Sequence, residues 1–273
     1  MLLDTLQAQA QRLTTPCGEG DLVWHQWGSG PLLVLLHGGT GSWRHWVRNI
    51  GHFATGHTVL APDMPGLGES AMAPGPAEPH SVAAALAAGL AQLLGAARHY
   101  DLAGFSFGAN IGTHLAAIEG AHVRTHTIVG AASLGFQRQP VELLKIRDKQ
   151  GAERLETHRK NLNALMLKDA AAIDEQAVRI QEWNTVHARL RSRGFASGNS
   201  LKEQLPGVAA PMRTIWGEFD QVAWPHIPER LAMLHAARPE LLSEVIPHAG
   251  HWVMYEAAAA FNAALARMLS APG

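Results

Sequence analysis

The feature that most constrains the fold is a series of short runs rich in apolar residues, of which the first three are closed by Gly or Asp. They occupy positions 32–36, 58–60, 100–103, 123–129, 212–216 and 241–246. Because a strand that is apolar on both faces belongs in a sheet covered on both sides, these runs predict buried parallel strands. Helix-like segments at 43–54 and 81–97 separate the early runs, so the chain is predicted to form a doubly wound α/β sheet.

The two ends of the chain extend this pattern. Residues 1–10 are typical of a short helix, and residues 12–27 divide at a Gly- and Asp-containing turn at 18–21, as an antiparallel hairpin would. A last helix is predicted at about 251–269 and closes the α/β series.

One segment departs from this alternation. Residues 137–200 contain no strand-like run and are predicted to form several amphipathic helices. We therefore divide the chain into a first core part (1–136), a helical cap (137–205) and a second core part (206–273). Residues 137–200 have 12 Lys and Arg and 8 Asp and Glu, a net charge of +4 against −5 for the rest. A basic cap would favour an anionic substrate, although a solvated helix face gives the same count.

Composition excludes several classes of protein. The 273 residues suit one domain or one domain with an insertion, and 22 Lys and Arg against 23 Asp and Glu do not favour nucleic acid as a partner. The single cysteine, Cys17, cannot form an internal disulfide, and the first residues lack the order of a secretory signal, so a cytoplasmic location is expected. The alanine-rich stretch at 82–97 is too short and too weakly apolar to predict a membrane span. A homo-oligomer remains open.

The strongest chemical signal is the G-x-S-x-G sequence at 104–108, which lies where a predicted strand meets a predicted helix. A serine at such a turn is exposed in a strained conformation, and glycines two residues before and after it leave room for crowded backbone. We therefore predict that Ser106 is a nucleophile.

A serine nucleophile needs a base, and the base needs an orienting acid. Of the 16 histidines, His251 is favoured because it lies between the last predicted strand and the last helix, with His248 as its nearest competitor. Asp220, in a Trp-Gly-Glu-Phe-Asp turn after a predicted strand, is favoured as the acid over Glu218. No acid follows the preceding strand, at 130–136.

A Gly-rich loop after the first buried strand, His-Gly-Gly-Thr-Gly at 37–41, can turn backbone N–H groups inward. We predict that the N–H groups of Gly39 and Phe107 stabilise the oxyanion. His37 is expected to anchor this loop rather than act as a second base, and Asp63 is expected to bind backbone in a tight turn. Neither a metal-ligand pattern nor a dinucleotide or phosphate loop is evident, so cofactor-free hydrolysis is expected.

Together, the motifs H-G-G, G-F-S-F-G, W-G-E-F-D and G-H-W resemble those of the α/β-hydrolase superfamily over nearly the whole chain. The resemblance implies about eight mostly parallel strands, a helical cap after the sixth, and an acyl-enzyme or water-addition mechanism at Ser106. A serine at this point differs from the aspartate of haloalkane dehalogenases and epoxide hydrolases and from the cysteine of dienelactone hydrolases.

The cap is similar to that of hydrolases that cleave carbon–carbon bonds in meta-ring-cleavage products. Their cap motif places an arginine over the substrate's carboxylate or keto-enol oxygens, and here Arg179 occupies that position, with Trp183 one helical turn later. An inner stripe through Ala177 and Ile180 would put Arg179 on its flank, within reach of the pocket rim. The alternative is a solvated Arg179 paired with Glu175 or Glu182.

The oxyanion loop, the acid turn and the two phenylalanines beside Ser106 depart from the carbon–carbon hydrolase pattern. The sequence therefore predicts a serine hydrolase of small carboxylic esters, with Phe105, Arg179 and Trp183 as substrate-binding candidates. A carbon–carbon hydrolase is the alternative. A slow or non-catalytic ligand receptor on the same fold is a third possibility, which a complete triad disfavours.

Overall fold

The computed structural model describes residues 1–137 and 139–271. Its strands form one eight-stranded sheet in the order β1-β2-β4-β3-β5-β6-β7-β8. Their bounds are β1 Gln11–Cys17, β2 Gly20–Trp27, β3 Leu32–Leu36, β4 Thr58–Pro62, β5 Tyr100–Phe105, β6 Val123–Val129, β7 Met212–Gly217 and β8 Leu242–Ile246. The first two strands are an antiparallel hairpin, and β3 to β8 are parallel. This arrangement confirms the predicted fold class.

Helices cover the sheet on both faces. They are α1 Leu2–Gln9, α2 Ile50–Phe53, α3 Pro79–Leu94, α4 Phe107–Glu119, α5 Gly151–Leu165, α6 Glu175–Val186, α7 Ser200–Gln204, α8 Ile227–Ala237, α9 Val253–Glu256 and α10 Ala258–Ser270. Two predicted helices are broken. The segment at 43–54 is a 3₁₀ turn followed by α2, and the last helix is interrupted at Ala257.

Alternation along β3 explains why its five residues are all apolar. Val34 and Leu36 pack into the core layer beneath α3 and α4, whereas Leu33 and Leu35 pack into the opposite layer with Trp46 and the C-terminal helices. A strand with two covered faces favours apolar side chains at every position.

Each apolar run forms a strand, but the expectation that all are buried is wrong for β8, where Leu242 and Val245 are exposed. The reason is that β8 lies at the edge of the sheet.

The helices α5, α6 and α7 lie between β6 and β7, where the sequence predicted a cap, and we call residues 137–205 the cap. The limits of this segment as a domain stay a prediction. One end of α5 is joined to the loop after β8, because Trp252 N donates to Met166 O at 2.7 Å. Glu256 bridges the same two regions by accepting from Gly250 N at 2.6 Å and from Asp169 N at 2.5 Å.

Within the described ranges, none of the helices is both long and apolar enough to cross a bilayer.

Candidate active site

Ser106 lies in the turn between β5 and α4 with φ of 53° and ψ of −109°, a conformation that L-residues rarely adopt. Its flanking glycines are explained by close backbone packing. A Cβ at Gly104 would lie 2.2 Å from Gly108 O, and a Cβ at Gly108 would lie 2.5 Å from the carbonyl oxygens of Leu36 and His37. Any larger residue at either position would force this turn away from the sheet.

A continuous hydrogen-bonded chain joins the predicted nucleophile, base and acid. Ser106 Oγ lies 2.9 Å from His251 Nε2, and His251 Nδ1 lies 2.8 Å from Asp220 Oδ1. Because a carboxylate only accepts, Nδ1 carries the hydrogen and Nε2 is left to accept from the serine hydroxyl. The base and acid are 3% and 0% exposed, so water does not weaken the contact between them.

The turn after β7 fixes the Asp220 carboxylate. Its Oδ1 also accepts from Val222 N at 2.8 Å, which holds the carboxylate plane against its own loop. Its Oδ2 is buried and has no hydrogen-bond partner among the described residues.

Gly130, which follows β6, packs directly against this pair, and sequence reasoning did not single it out. Its φ is +54°, and a Cβ there would lie 3.0 Å from Asp220 Oδ2 and 3.2 Å from His251 Nδ1. The available signal was a glycine directly after a buried strand, at the same sheet edge as Ser106.

The two competing residues pair with each other instead. Glu218 Oε2 accepts from His248 N at 2.9 Å, and the His248 side chain is 89% exposed. Neither is part of the hydrogen-bonded chain at Ser106.

The two residues predicted to supply the oxyanion donors lie next to each other and line the same cavity as Ser106. A Cβ at Gly39 would lie 3.5 Å from Phe107 Cβ and 2.4 Å from Ser192 Oγ, so this loop touches both the start of α4 and the cap. Phe107 is the first residue of α4, where an N–H has no acceptor within its own helix. The same N-terminus favours negative charge at this point.

Two buried histidines support the Gly-rich loop. His37 donates from Nδ1 to Gly38 O at 2.7 Å and accepts from Met64 N at 2.9 Å, and burial lowers its pKa to about 4. His45, which sequence reasoning missed, accepts from Gly38 N at 3.1 Å. Burial, and then the nearby His37 and His251, hold the pKa of His45 well below its usual value. Both rings are therefore neutral anchors, as expected for His37.

Asp63 holds a turn. Its carboxylate accepts from Trp43 N at 2.9 Å and from Glu69 N at 3.0 Å. Burial raises its pKa to about 6, although these amide hydrogen bonds partly oppose the shift. These contacts agree with the expectation that Asp63 binds backbone in a tight turn.

A cavity of about 940 Å³ lies over Ser106 and extends beneath the cap. Phe105 lines it, with its ring centroid 4.9 Å from that of His251, so this substrate-binding candidate is at the site. Apolar side chains of the cap form much of the remaining wall: Leu143, Leu162, Leu165, Met166 and Phe195.

The structure does not place Arg179 or Trp183 among the described residues that line this cavity. The Arg179 side chain is 53% exposed and lies 3.3 Å from Asp4 Oδ1, rather than beside Glu175 or Glu182. The reason is that α1 packs against α6, where Leu3 N donates to the side chain of Gln176. The expectation that Arg179 reaches the pocket rim is therefore wrong.

Trp183 has a different position from the one expected. Its ring stacks against His187 at 3.9 Å and lies 3.5 Å from the Arg44 guanidinium carbon. It therefore ties the cap to the loop after β3 rather than facing the substrate cavity.

Comparisons with known proteins give consistent results. The model of the alpha/beta hydrolase family matches residues 33–264. A 2-hydroxy-6-oxo-6-phenylhexa-2,4-dienoate hydrolase of Burkholderia cepacia is 29% identical over 252 residues, 86% of each chain. A pimeloyl-[acyl-carrier protein] methyl ester esterase of Vibrio atlanticus is 26% identical over 73% of this chain and 80% of its own.

The fold is also shared with solved structures. The esterase RhEst1 of Rhodococcus sp. ECU1013 superposes with a TM-score of 0.77 at 18% identity, over 97% of this chain and 100% of that one. The naproxen esterase of Bacillus subtilis gives a TM-score of 0.76 at 19% identity, over 98% and 96%.

Proposed function

Because the chain belongs to the alpha/beta hydrolase family, we propose that it is a serine hydrolase that cleaves small carboxylic esters without a cofactor. The family match confirms the predicted superfamily and the predicted hydrolase class. The observation that carries the proposal is the hydrogen-bonded chain from Asp220 through His251 to Ser106. A non-catalytic ligand receptor would have no need of this chain.

The geometry supports an acyl-enzyme mechanism. Ser106 Oγ attacks the ester carbonyl while His251 Nε2 takes the hydroxyl proton, and Asp220 stabilises the imidazolium that forms. The N–H groups of Gly39 and Phe107 stabilise the oxyanion of the tetrahedral intermediate. His251 then protonates the leaving alkoxide, and the same steps with water release the carboxylic acid and regenerate Ser106.

The cavity supports a small substrate with an apolar part. Its volume of about 940 Å³ is within the range of small-molecule sites, and its wall is largely apolar. Lys145, Arg147 and Arg191 also line it, against one carboxylate from Asp148, so an anionic group on the substrate would be tolerated. A cytoplasmic location and a homo-oligomer stay predictions.

A second candidate is hydrolysis of a carbon–carbon bond in a 2-hydroxy-6-oxo-dienoate. It is favoured by the relatives of that activity, including one from Comamonas testosteroni that is 28% identical over 252 residues. The position of Arg179 disfavours it, because the residue expected to hold the dienoate carboxylate lies outside the cavity.

A direct comparison of substrates tests the proposal. Purified enzyme is assayed against short p-nitrophenyl esters and against a 2-hydroxy-6-oxo-hexa-2,4-dienoate, with a fluorophosphonate probe to identify the nucleophile. We expect ester turnover and labelling at Ser106. Faster turnover of the dienoate would replace the ester assignment with the second candidate, and labelling retained in Ser106→Ala would reject the nucleophile.

A further inference from the structure

A buried histidine of the cap lines the cavity but is not part of the hydrogen-bonded chain at Ser106. His158, on α5, is 2% exposed and lines the cavity. Its Nε2 lies 2.5 Å from Glu182 Oε2 on α6, and Arg154 Nε lies 2.8 Å from the same oxygen. Arg154 also donates to Ile146 O at 2.9 Å. The ring is thus held in one orientation by a carboxylate that is itself held by an arginine.

These contacts determine which nitrogen is left for a ligand. Burial raises the pKa of Glu182, but hydrogen bonds from Arg154 and His158 outweigh it and bring the pKa below its usual value, so the group is a carboxylate. A carboxylate only accepts, so Nε2 of His158 carries the hydrogen. Burial lowers the pKa of His158, with Glu182 opposing and Arg154 reinforcing the shift, so the ring is neutral at pH 7. Nδ1 then has a free lone pair.

We infer that Nδ1 is the ring nitrogen that faces the cavity, because His158 lines the cavity and its Nε2 is held by Glu182. Nδ1 has no hydrogen-bond partner in the described part of the chain, and it is not among the side-chain atoms that are sealed from solvent. The Gln181 side chain, one residue before Glu182, and Thr185, one turn later, line the same cavity. A polar acceptor inside a largely apolar wall costs free energy unless a ligand or water donates to it.

We propose that His158 Nδ1 is a specificity-determining acceptor for a hydroxyl or amide N–H on the part of the substrate that lies beneath the cap. This rests on the proposed ester hydrolase function. The substrate class is then a carboxylic ester with a hydrogen-bond donor distant from the scissile bond, rather than a plain alkyl ester.

The test uses p-nitrophenyl esters of ω-hydroxy acids with four to eight carbons, each paired with the ester in which methyl replaces the hydroxyl. We expect the wild-type enzyme to prefer the hydroxy ester at one chain length by about fivefold in kcat/KM, the size of one neutral hydrogen bond. His158→Phe should remove that preference. His158→Asn should restore part of it, because its side-chain oxygen can take the place of Nδ1.

The matched control is His187→Phe, a cap histidine that stacks on Trp183 and lies outside the described cavity lining. His187→Phe should keep the wild-type ratio of kcat/KM between each hydroxy ester and its methyl partner. A wild type without preference at any length, or a preference that survives His158→Phe, overturns the proposal.

Titration of the same esters into Ser106→Ala distinguishes failure of the proposed ester hydrolase function from failure of the proposed His158 acceptor. If the wild type hydrolyses no ester, the proposed function fails. Tighter binding of the hydroxy ester than of its methyl partner, lost when His158→Phe is added, would still support the acceptor. Equal binding of the two would overturn it.

Discussion

The sheet edge that holds Ser106 and the cap that covers it are stabilised in different ways. At the sheet edge, backbone packs on backbone, as at Gly108, where a Cβ would lie 2.5 Å from two carbonyl oxygens. In the cap, long side chains make the corresponding contacts, as where Arg154 and His158 both bind Glu182. Backbone packing holds reacting atoms to a fraction of an ångström, whereas paired side chains can change partners. We infer that the sheet edge sets the chemistry and the cap sets the choice of substrate.

The largest effect is expected at the sheet edge. Ser106→Ala should lower kcat by roughly 10⁶-fold, because it removes the nucleophile, while the melting temperature changes little. Ester hydrolysis and thermal denaturation are the two measurements. Activity within tenfold of wild type would place the nucleophile elsewhere and contradict the inference that this sheet edge sets the chemistry.

The second-largest loss of activity is expected on substitution of the predicted acid, Asp220. Asp220→Asn should lower kcat by roughly 10⁴-fold with little change in KM, because the carboxylate orients and stabilises the imidazole in the transition state. Glu218→Gln is the matched control, since its carboxylate binds the exposed loop at His248 N. Steady-state kinetics of both variants decide between them, and the reverse result would move the acid to Glu218.

A methyl group at Gly130 tests how tightly the sheet edge is packed. Gly130→Ala should lower kcat/KM by roughly tenfold to a hundredfold, because the new Cβ would displace Asp220 and His251. Gly120→Ala is the control. Its φ is also +54°, but among the described residues nothing lies within 4 Å of its Cβ. Both variants should lose about 1–3 kcal/mol of unfolding free energy, because a non-Gly residue at this positive φ is strained. Equal activity in the two would show that the triad has room to shift.

The smallest effect is expected on the outside of the cap. Arg179→Gln should change kcat/KM by less than about twofold for neutral and carboxylate-bearing substrates alike, because Arg179 is not among the described residues that line the cavity. Its exposed ion pair with Asp4 contributes little to the free energy of unfolding. A KM raised about tenfold for carboxylate-bearing substrates alone, worth roughly 1.4 kcal/mol, would return Arg179 to the binding site.

The proposed triad was accessible to sequence reasoning because each member follows a predicted parallel strand, and parallel strands end at one edge of a sheet. Ser106, Asp220 and His251 lie in the turns after β5, β7 and β8. The apolar runs that predicted the strands therefore also predicted which side chains meet. His45 and Gly130 were harder to find, because a buried histidine and a glycine have many structural uses. The contacts of Gly130 with Asp220 and His251 also join loops that are distant in the sequence.

The cap was harder to predict for a physical reason. Its helical character followed from the lack of strand-like runs, but the face that a helix turns inward depends on its neighbours. The buried side chains of α6 include Ala177 and Ile180, as expected, but α1 packs beside Gln176 and leaves Arg179 outside. The periodicity of α6 does not indicate that the N-terminal helix α1 packs beside it.

The hydrogen bond from Trp252 N to Met166 O has a consequence for the timing of cap motion. A backbone amide exchanges its hydrogen with solvent only when its hydrogen bond opens. Trp252 directly follows His251, so exchange at its amide reports separation of α5 from the histidine loop. At high pH, where every opening leads to exchange, the exchange rate equals the frequency of that separation. If the cap must open there for each substrate, this limiting rate is at least as large as kcat. A limiting rate below kcat would show that substrates enter the cavity while the histidine loop stays closed.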